Sequence, residues 1–392
     1  MLASTAGALA PASASTVPAP PAYVHVTNGS TGTYLTWASS GATSFQIEQA
    51  TDSRFLYNRR LYVDRDGRDR QFTPYGLVKG RTYYWRVRAL VGSSASPISA
   101  TVRAAVAETE QRIRVEQFNV SNEDGTYEGG GYVPYWSQRR SAVAAIINEA
   151  HPDVLAVEEA AGWVAQVKGP RVADDIVTLL GSSYALAQTE IAPGQPGWRR
   201  TGDYLIYNSA KYESVGGGGN WTVGTSAGVA AEVYQVLRNR ASGARFLLIG
   251  THLAGTSGRA ADDLRQTQTK QMLANAAGYT ASHGNLPIVY AGDFNSHDGS
   301  NHVYDGPGVA TRAAHVADAF KSAQVMVNAG YNSANNYYRT PPASGRSIDR
   351  IFASPGVGIG AWRQYLNLSN GIFVGVIPSD HNPIAADMTF PY

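Results

Sequence analysis

Gly292-Asp293-Phe294-Asn295-Ser296 closes an apolar run, Leu286 to Ala291, with an acid and an amide two residues apart. Strand periodicity predicts that Asp293 and Asn295 share one face. Towards the other end, Ser379-Asp380-His381-Asn382-Pro383 sets an acid beside an imidazole just ahead of the last apolar segment, Ile384 to Phe390. Two such clusters at the edges of buried strands point to metal-assisted hydrolysis of a phosphoester.

Outward from these motifs, four more segments place polar side chains at strand edges. Arg114 to Val120 alternates and carries Asn119; Val154 to Glu159 ends in two acids; Phe246 to Gly250 leads into Thr251-His252-Leu253; Ser347 to Phe352 holds Asp349. Asn, Asp, Glu and His suit a hard divalent cation such as Mg²⁺ or Mn²⁺ and fit zinc poorly, since neither candidate His belongs to a His-x-x-x-His pair. No Gly-x-Ser-x-Gly elbow is present to support serine hydrolysis. Taken singly, a strand-end acid is more often a turn residue, His252 a satisfied core histidine, and Asn119 a side chain bonded to its own backbone. Only the ordered set argues for chemistry.

The 392 residues, 43% hydrophobic and 16% charged, are enough for two domains. A net charge of +2 names no partner. The absence of cysteine excludes disulfides, thiolate zinc and a thiol nucleophile. Residues 1–22 are rich in Ala, Ser, Thr and Pro; Ala8-Leu9-Ala10 and Ala12-Ser13-Ala14 look like export cleavage sites, so this segment reads as a flexible leader or a signal-peptide remnant and the protein as secreted. No apolar run is long enough to span a bilayer.

From Tyr23 to Val106, short alternating strands separated by Gly, Ser and Asp turns predict an all-β sandwich. Leu77 to Ala89 in this stretch resembles the fibronectin type III signature. Residues 107–112 read as a linker and residues 113–392 as an α/β domain. There, two helix-turn-strand-acid units, Gln138 to Glu159 and Ala260 to Asp293, suggest internal duplication.

The Gly-Asp-Phe-Asn and Ser-Asp-His elements, with Ile348-Asp349-Arg350-Ile351 between them, resemble the endonuclease/exonuclease/phosphatase (DNase I-like) superfamily from about Arg114 to Phe390. The resemblance implies a four-layer α/β sandwich with its site at one edge of two face-to-face sheets. It also implies that Asn119, Glu159 and Asp380 hold Mg²⁺, Mn²⁺ or Ca²⁺, with Glu158 standing where the family often has Gln. His252 would then bond the scissile phosphate, Asp293 and Asn295 would orient or deprotonate the attacking water, and His381, oriented by Asp349, would act as general base or cationic clamp.

Superfamily members cleave nucleic acids, phospholipid head groups and phosphomonoesters. Arg139-Arg140, Arg199-Arg200, Arg238 and Arg240 as phosphate contacts, with Tyr331, Tyr337 and Tyr338 as stacking platforms, favour a nuclease acting on DNA or RNA. The alternatives are a sphingomyelinase-like phospholipase C, a phosphomonoesterase, and a non-catalytic adhesion protein. The expected state is a monomer without membrane insertion, with the N-terminal domain free to touch a polymer or surface.

Overall fold

The computed structural model describes residues 17–29, 32–121, 134–160, 171–188, 202–297 and 303–392. Residues 22–105 form antiparallel sheets only. A three-stranded sheet (Ala22–Gly29, Gly32–Ala38, Gln71–Phe72) faces a five-stranded one built around Ser44–Ala50 and Thr82–Val91. Leu35, Trp37 and Phe72 from the first meet Phe45, Ile47, Tyr62 and Trp85 from the second. In Thr82–Val91 burial alternates, as a half-buried strand requires.

Downstream, two larger sheets lie face to face. One runs in the order Tyr184–Gln188, Tyr204–Asn208, Val154–Glu158, Glu110–Asn119, Ile384–Pro391, Gly358–Gln364, Val325–Val327. The other runs Tyr212–Ser214, Gly228–Asn239, Arg245–His252, Ile288–Asp293, Asp349–Ala353, Ala317–Asp318, with Gly219–Thr225 beside Gly228–Asn239. Side chains such as Val115, Ala156, Leu248, Ala291, Ile351 and Phe390 fill the space between the sheets. Helices Trp136–Ala150 and Val172–Leu180 cover the outer face of the first sheet, and Arg259–Ser282 with Gly306–Ala313 covers that of the second. The result is four layers, α/β/β/α. At the seam, a Cβ on Gly250 would meet Leu205 of the facing sheet and Val233 of the neighbouring strand at 3.0 Å, so any side chain there would have to push them aside.

In each sheet one parallel pair is joined through a helix; the first sheet has a second parallel pair, Val325–Val327 with Gly358–Gln364, at its far edge. Glu110–Asn119 lies parallel to Val154–Glu158 with Asn119 opposite Glu158, and Arg245–His252 lies parallel to Ile288–Asp293 with His252 opposite Asp293. Strands buried on both faces read as continuous apolar runs, which is why Val154–Val157 and Ile288–Ala291 are legible in the sequence. The helix Trp136–Ala150 stops because His151 turns left-handed (φ 48°) ahead of Pro152. Because both crossovers run the same way, the carboxyl ends of all four strands emerge at one edge.

The expected linker is shorter than its composition suggests. Glu110, Gln111 and Arg112 already pair with Pro391, Phe390 and Thr389. The N-terminal sheets also dock directly on the downstream domain. Arg312 bridges to Asp66 at 3.1 Å, the Gln324 amide oxygen accepts from Val63 N–H at 3.0 Å, and Gly356 N–H donates to Thr73 Oγ1 at 3.3 Å. A Cβ on Gly360 would sit 2.7 to 2.8 Å from the Tyr75 ring. Gly360→Ala should therefore cost about 1–3 kcal/mol through overpacking and uncouple the two units. The check is calorimetry, where one unfolding transition should become two; a single unshifted transition would show that Tyr75 yields freely.

Candidate active site

Asn119, Glu158, His252, Asp293 and Asp349 all stand at strand ends on that edge, and the chain from Ser379 to His381 crosses it on the way into Ile384–Pro391. Asp349 opens its strand directly opposite Asp293. Its carboxylate joins the two sheets. Oδ1 accepts from Gln117 Nε2 at 2.9 Å, and Oδ2 lies 2.8 Å from His381 Nδ1. The same Gln117 amide donates to Glu158 Oε2 at 2.7 Å. A second link crosses the seam where Asn119 Nδ2 donates to Glu159 Oε1 at 3.0 Å and to Asp293 Oδ2 at 3.3 Å.

Both histidines face Asp293 Oδ2, His252 Nε2 at 3.6 Å and His381 Nε2 at 3.9 Å. Asp293, Asp349 and His381 each offer a ligand atom within 4.8 Å of the others. Burial pushes Asp293 up to about 6, aided by Asp349 and opposed by His381 and His252. Asp349 moves the other way: burial would raise it, but the His381 charge together with hydrogen bonds from His381, Ser333 and Gln117 holds its carboxyl below the ordinary range. Burial alone would lower His381, but Asp349 and then Asp293 keep it charged well above an ordinary imidazole. His252 is raised too, burial being outweighed by Asp293, Asp203 and Glu159. Burial, with Asp203 and Asp349, drives Glu158 well above the usual carboxyl value; its Oε1 is buried without a hydrogen-bond partner.

The backbone at this edge is unusual. Ser121, Glu159 and Asn295 are all left-handed, at φ 60°, 60° and 48°. Strain of this kind persists only where surroundings over-determine it. It also corrects the opening expectation. The strand ends at Asp293, so the period of two stops before Asn295. Asn295 instead donates its N–H to Asp293 Oδ1 at 2.8 Å and its amide to Leu253 O at 3.0 Å, bracing Asp293 rather than lying beside it on one face. Asn119, for its part, turns Oδ1 to the Ser121 N–H at 3.0 Å and its NH₂ to the carboxylates. Ser379 Oγ ties the late motif to the first strand by donating to Asn119 O at 2.7 Å.

Gln117 is the bridging residue that a motif reading passes over, although its spacing of two from Asn119 places both on one strand face. Arg350 is another. Its guanidinium, buried on the far side, donates to both Asp305 oxygens at 2.8 and 2.9 Å and also to Asp318, anchoring the strand that presents Asp349. Most arginines expected to meet phosphate are used elsewhere. Arg139 donates to the carbonyls of Val120, Ser121, Pro134 and Pro378, Arg140 pairs with Asp175, and Arg238 and Arg240 pair with Glu213. Arg199 and Arg200 lie outside the described residues.

Residues 117–381, more than half of the chain, match the Endonuclease/Exonuclease/phosphatase family. The chain belongs to that family, whose members are phosphoester hydrolases. Solved structures share the fold at low identity. A family member from Bacteroides thetaiotaomicron aligns at 18% identity over 72% of this chain and 97% of its own, with a TM-score of 0.56. One from Bacteroides vulgatus aligns at 21% over 71% and 98%, with a TM-score of 0.54. A mannosyl-6-phosphatase from B. thetaiotaomicron aligns at 18% over 70% and 99%, also at 0.54. No curated protein matches the chain.

The Asp349–His381 pair makes a signed stability prediction. Since folding raises His381, its stabilisation is complete below about pH 6.5 and is lost as pH rises through the elevated value. Since folding depresses Asp349, the contribution is complete above about pH 4 and is lost as pH falls through the depressed value. Asp349→Asn should thus lower the thermal midpoint most between about pH 4 and 6.5, and progressively less in alkali. A deficit independent of pH would contradict an ionised pair.

Proposed function

We propose that this chain is a divalent-metal-dependent phosphoester hydrolase. One observation carries the reading: Asp293 and Asp349 meet at the strand ends beside Glu159 and Asp380, yet among the described residues no Lys or Arg pairs with Asp293, Asp349 or Asp380. Two histidines are too little positive charge for these three carboxylates. A hard cation on oxygen donors fits them, and Mg²⁺, Mn²⁺ and Ca²⁺ share that chemistry. Glu159 and Asp380 would hold the ion, and Asn119 would order Glu159. When bound, the ion supplies charge neutralisation on the phosphoryl oxygens and a more acidic water.

The remaining work falls to the protein. Asp293, raised to about 6, is ionised at neutral pH and basic enough to take a proton from an attacking water. Asn295 N–H fixes its other oxygen. His381, charged through Asp349, fits the role of cationic clamp on the phosphoryl group better than that of general base. His252 supports the same role from the opposite strand.

The nuclease reading rests on Tyr331, half-buried, on Tyr338, 61% exposed, and on residues outside the described segments, since the described arginines named above are engaged. That engagement, together with the fold shared with a mannosyl-6-phosphatase, favours a phosphomonoesterase as the second reading. The arrangement Ala22–Gly29, Gly32–Ala38, Gln71–Phe72 against Arg60–Asp64, Ser44–Ala50, Thr82–Val91, Val102–Ala105 supports a fibronectin type III module in front. Among the described residues no helix is long and apolar enough to cross a membrane. Export remains part of the proposal.

The test is a cleavage panel of plasmid DNA, RNA, sphingomyelin, mannose 6-phosphate and bis-p-nitrophenyl phosphate with Mg²⁺, Mn²⁺ or EDTA. EDTA should abolish turnover, and Asp293→Ala and His381→Ala should each reduce it by about 10² or more while leaving the fold intact. Near-wild-type turnover in either variant would sink the assignment.

A further inference from the structure

Tyr337 is a predicted stacking residue that the structure uses differently. Its phenolic oxygen is buried and has no hydrogen-bond partner of normal geometry. Ser121 can donate to it only outside normal geometry, and the charges acting on it are those of Arg139, Asp380 and Glu159, which places it near the end of the site where the cation is proposed and leaves its own O–H without an acceptor. Arg139 is already committed to backbone carbonyls and leaves the phenol unserved. An unpaired buried hydroxyl is costly, and one kept at a site calls for a ligand that completes it.

The backbone holds the side chain there against its own preference. Asn336 and Tyr337 are both left-handed, at φ 53° and 56°, a conformation that a bulky side chain rarely adopts. What enforces it is Asn335, fully buried, whose Oδ1 accepts the Tyr337 N–H at 2.8 Å. Asn335 is locked in turn to the late motif. Its N–H donates to Asp380 O at 2.6 Å and its Nδ2 to Ser379 O at 3.0 Å and Asn382 Oδ1 at 2.8 Å, while Asn336 N–H reaches Asp380 O at 3.0 Å. Ala334 forms a bridge with His381. Tyr337 therefore belongs to the same rigid corner as Asp380 and His381.

We propose that the Tyr337 hydroxyl is a substrate contact, donating a hydrogen bond to a non-bridging phosphoryl oxygen. The carboxylates beside it repel an anion on their own, and a phosphoryl group brought to them through a cation supplies the acceptor the phenol lacks. This inference rests on the phosphoester hydrolase reading above.

Tyr337→Phe keeps the ring and removes only the donor. With Mg²⁺ present, it should raise the KM for bis-p-nitrophenyl phosphate and weaken inorganic phosphate binding, measured by calorimetry, each by about five- to tenfold, as loss of one hydrogen bond implies. The thermal midpoint should hardly move, because the only protein group near enough to partner the oxygen, Ser121, does so outside normal geometry. Wild-type turnover and phosphate binding left unchanged in Tyr337→Phe would overturn the inference alone, as would a lower midpoint with unaltered KM. A wild type that neither cleaves a phosphoester nor binds phosphate would overturn the hydrolase reading and this contact with it.

Discussion

The Asp349 carboxylate is the constraint on which the rest of the site depends. It starts a strand of one sheet, accepts Gln117 from the other, and faces His381 from the loop that leads into the last strand. A carboxylate buried this deeply is costly unless it is paired and hydrogen-bonded. Here both of its oxygens are satisfied by groups that arrive from distant parts of the chain, so the sheets can close at this edge only in the register that brings those groups together. Arg350, held by Asp305 and Asp318 behind it, stops the strand from sliding. Asp293, equally buried and next to the Asp349 charge, is less well compensated than Asp349, so burial moves its proton affinity towards neutrality while that of Asp349 moves away.

This division of labour follows from topology more than from residue type. Two β-α-β units, one per sheet, deliver their strand ends to a common edge, and left-handed residues at Ser121, Glu159 and Asn295 end each run abruptly so that side chains turn into the seam. The packed interior between the sheets, with glycine at position 250 facing Leu205, leaves the polar edge as the place where buried carboxylates and imidazoles can meet. The N-terminal sheets dock on another part of the downstream domain, through Tyr75, Asp66 and Thr73, and contribute none of these groups.

Much of this was legible in the amino-acid order. Fully buried parallel strands are apolar throughout, so Val154–Val157 and Ile288–Ala291 announce themselves, and the polar residues that end them mark the site edge. What failed was periodicity carried past a strand end: Asn295 left its expected face because φ turned positive. Gln117 went unassigned because a bridging amide has no motif of its own; its meaning comes from Asp349, 232 residues away. The arginines misled for a related reason. A guanidinium beside an apolar run reads as a phosphate contact, yet Arg139 and Arg140 serve carbonyls and Asp175, partners that only the fold brings near. In the sequence Tyr337 reads as an aromatic platform, whereas in the structure its hydroxyl is buried without a hydrogen-bond partner of normal geometry.

Anomalous scattering from Mn²⁺ in crystals of the intact protein locates the cation directly. An ion held by Glu159 and Asp380, with the Asp349–His381 hydrogen bond intact, is the expected result. An ion coordinated instead by Asp349 and His381, at the expense of that bond, would contradict it, and so would the absence of any ion at the strand ends in a protein that hydrolyses phosphoesters.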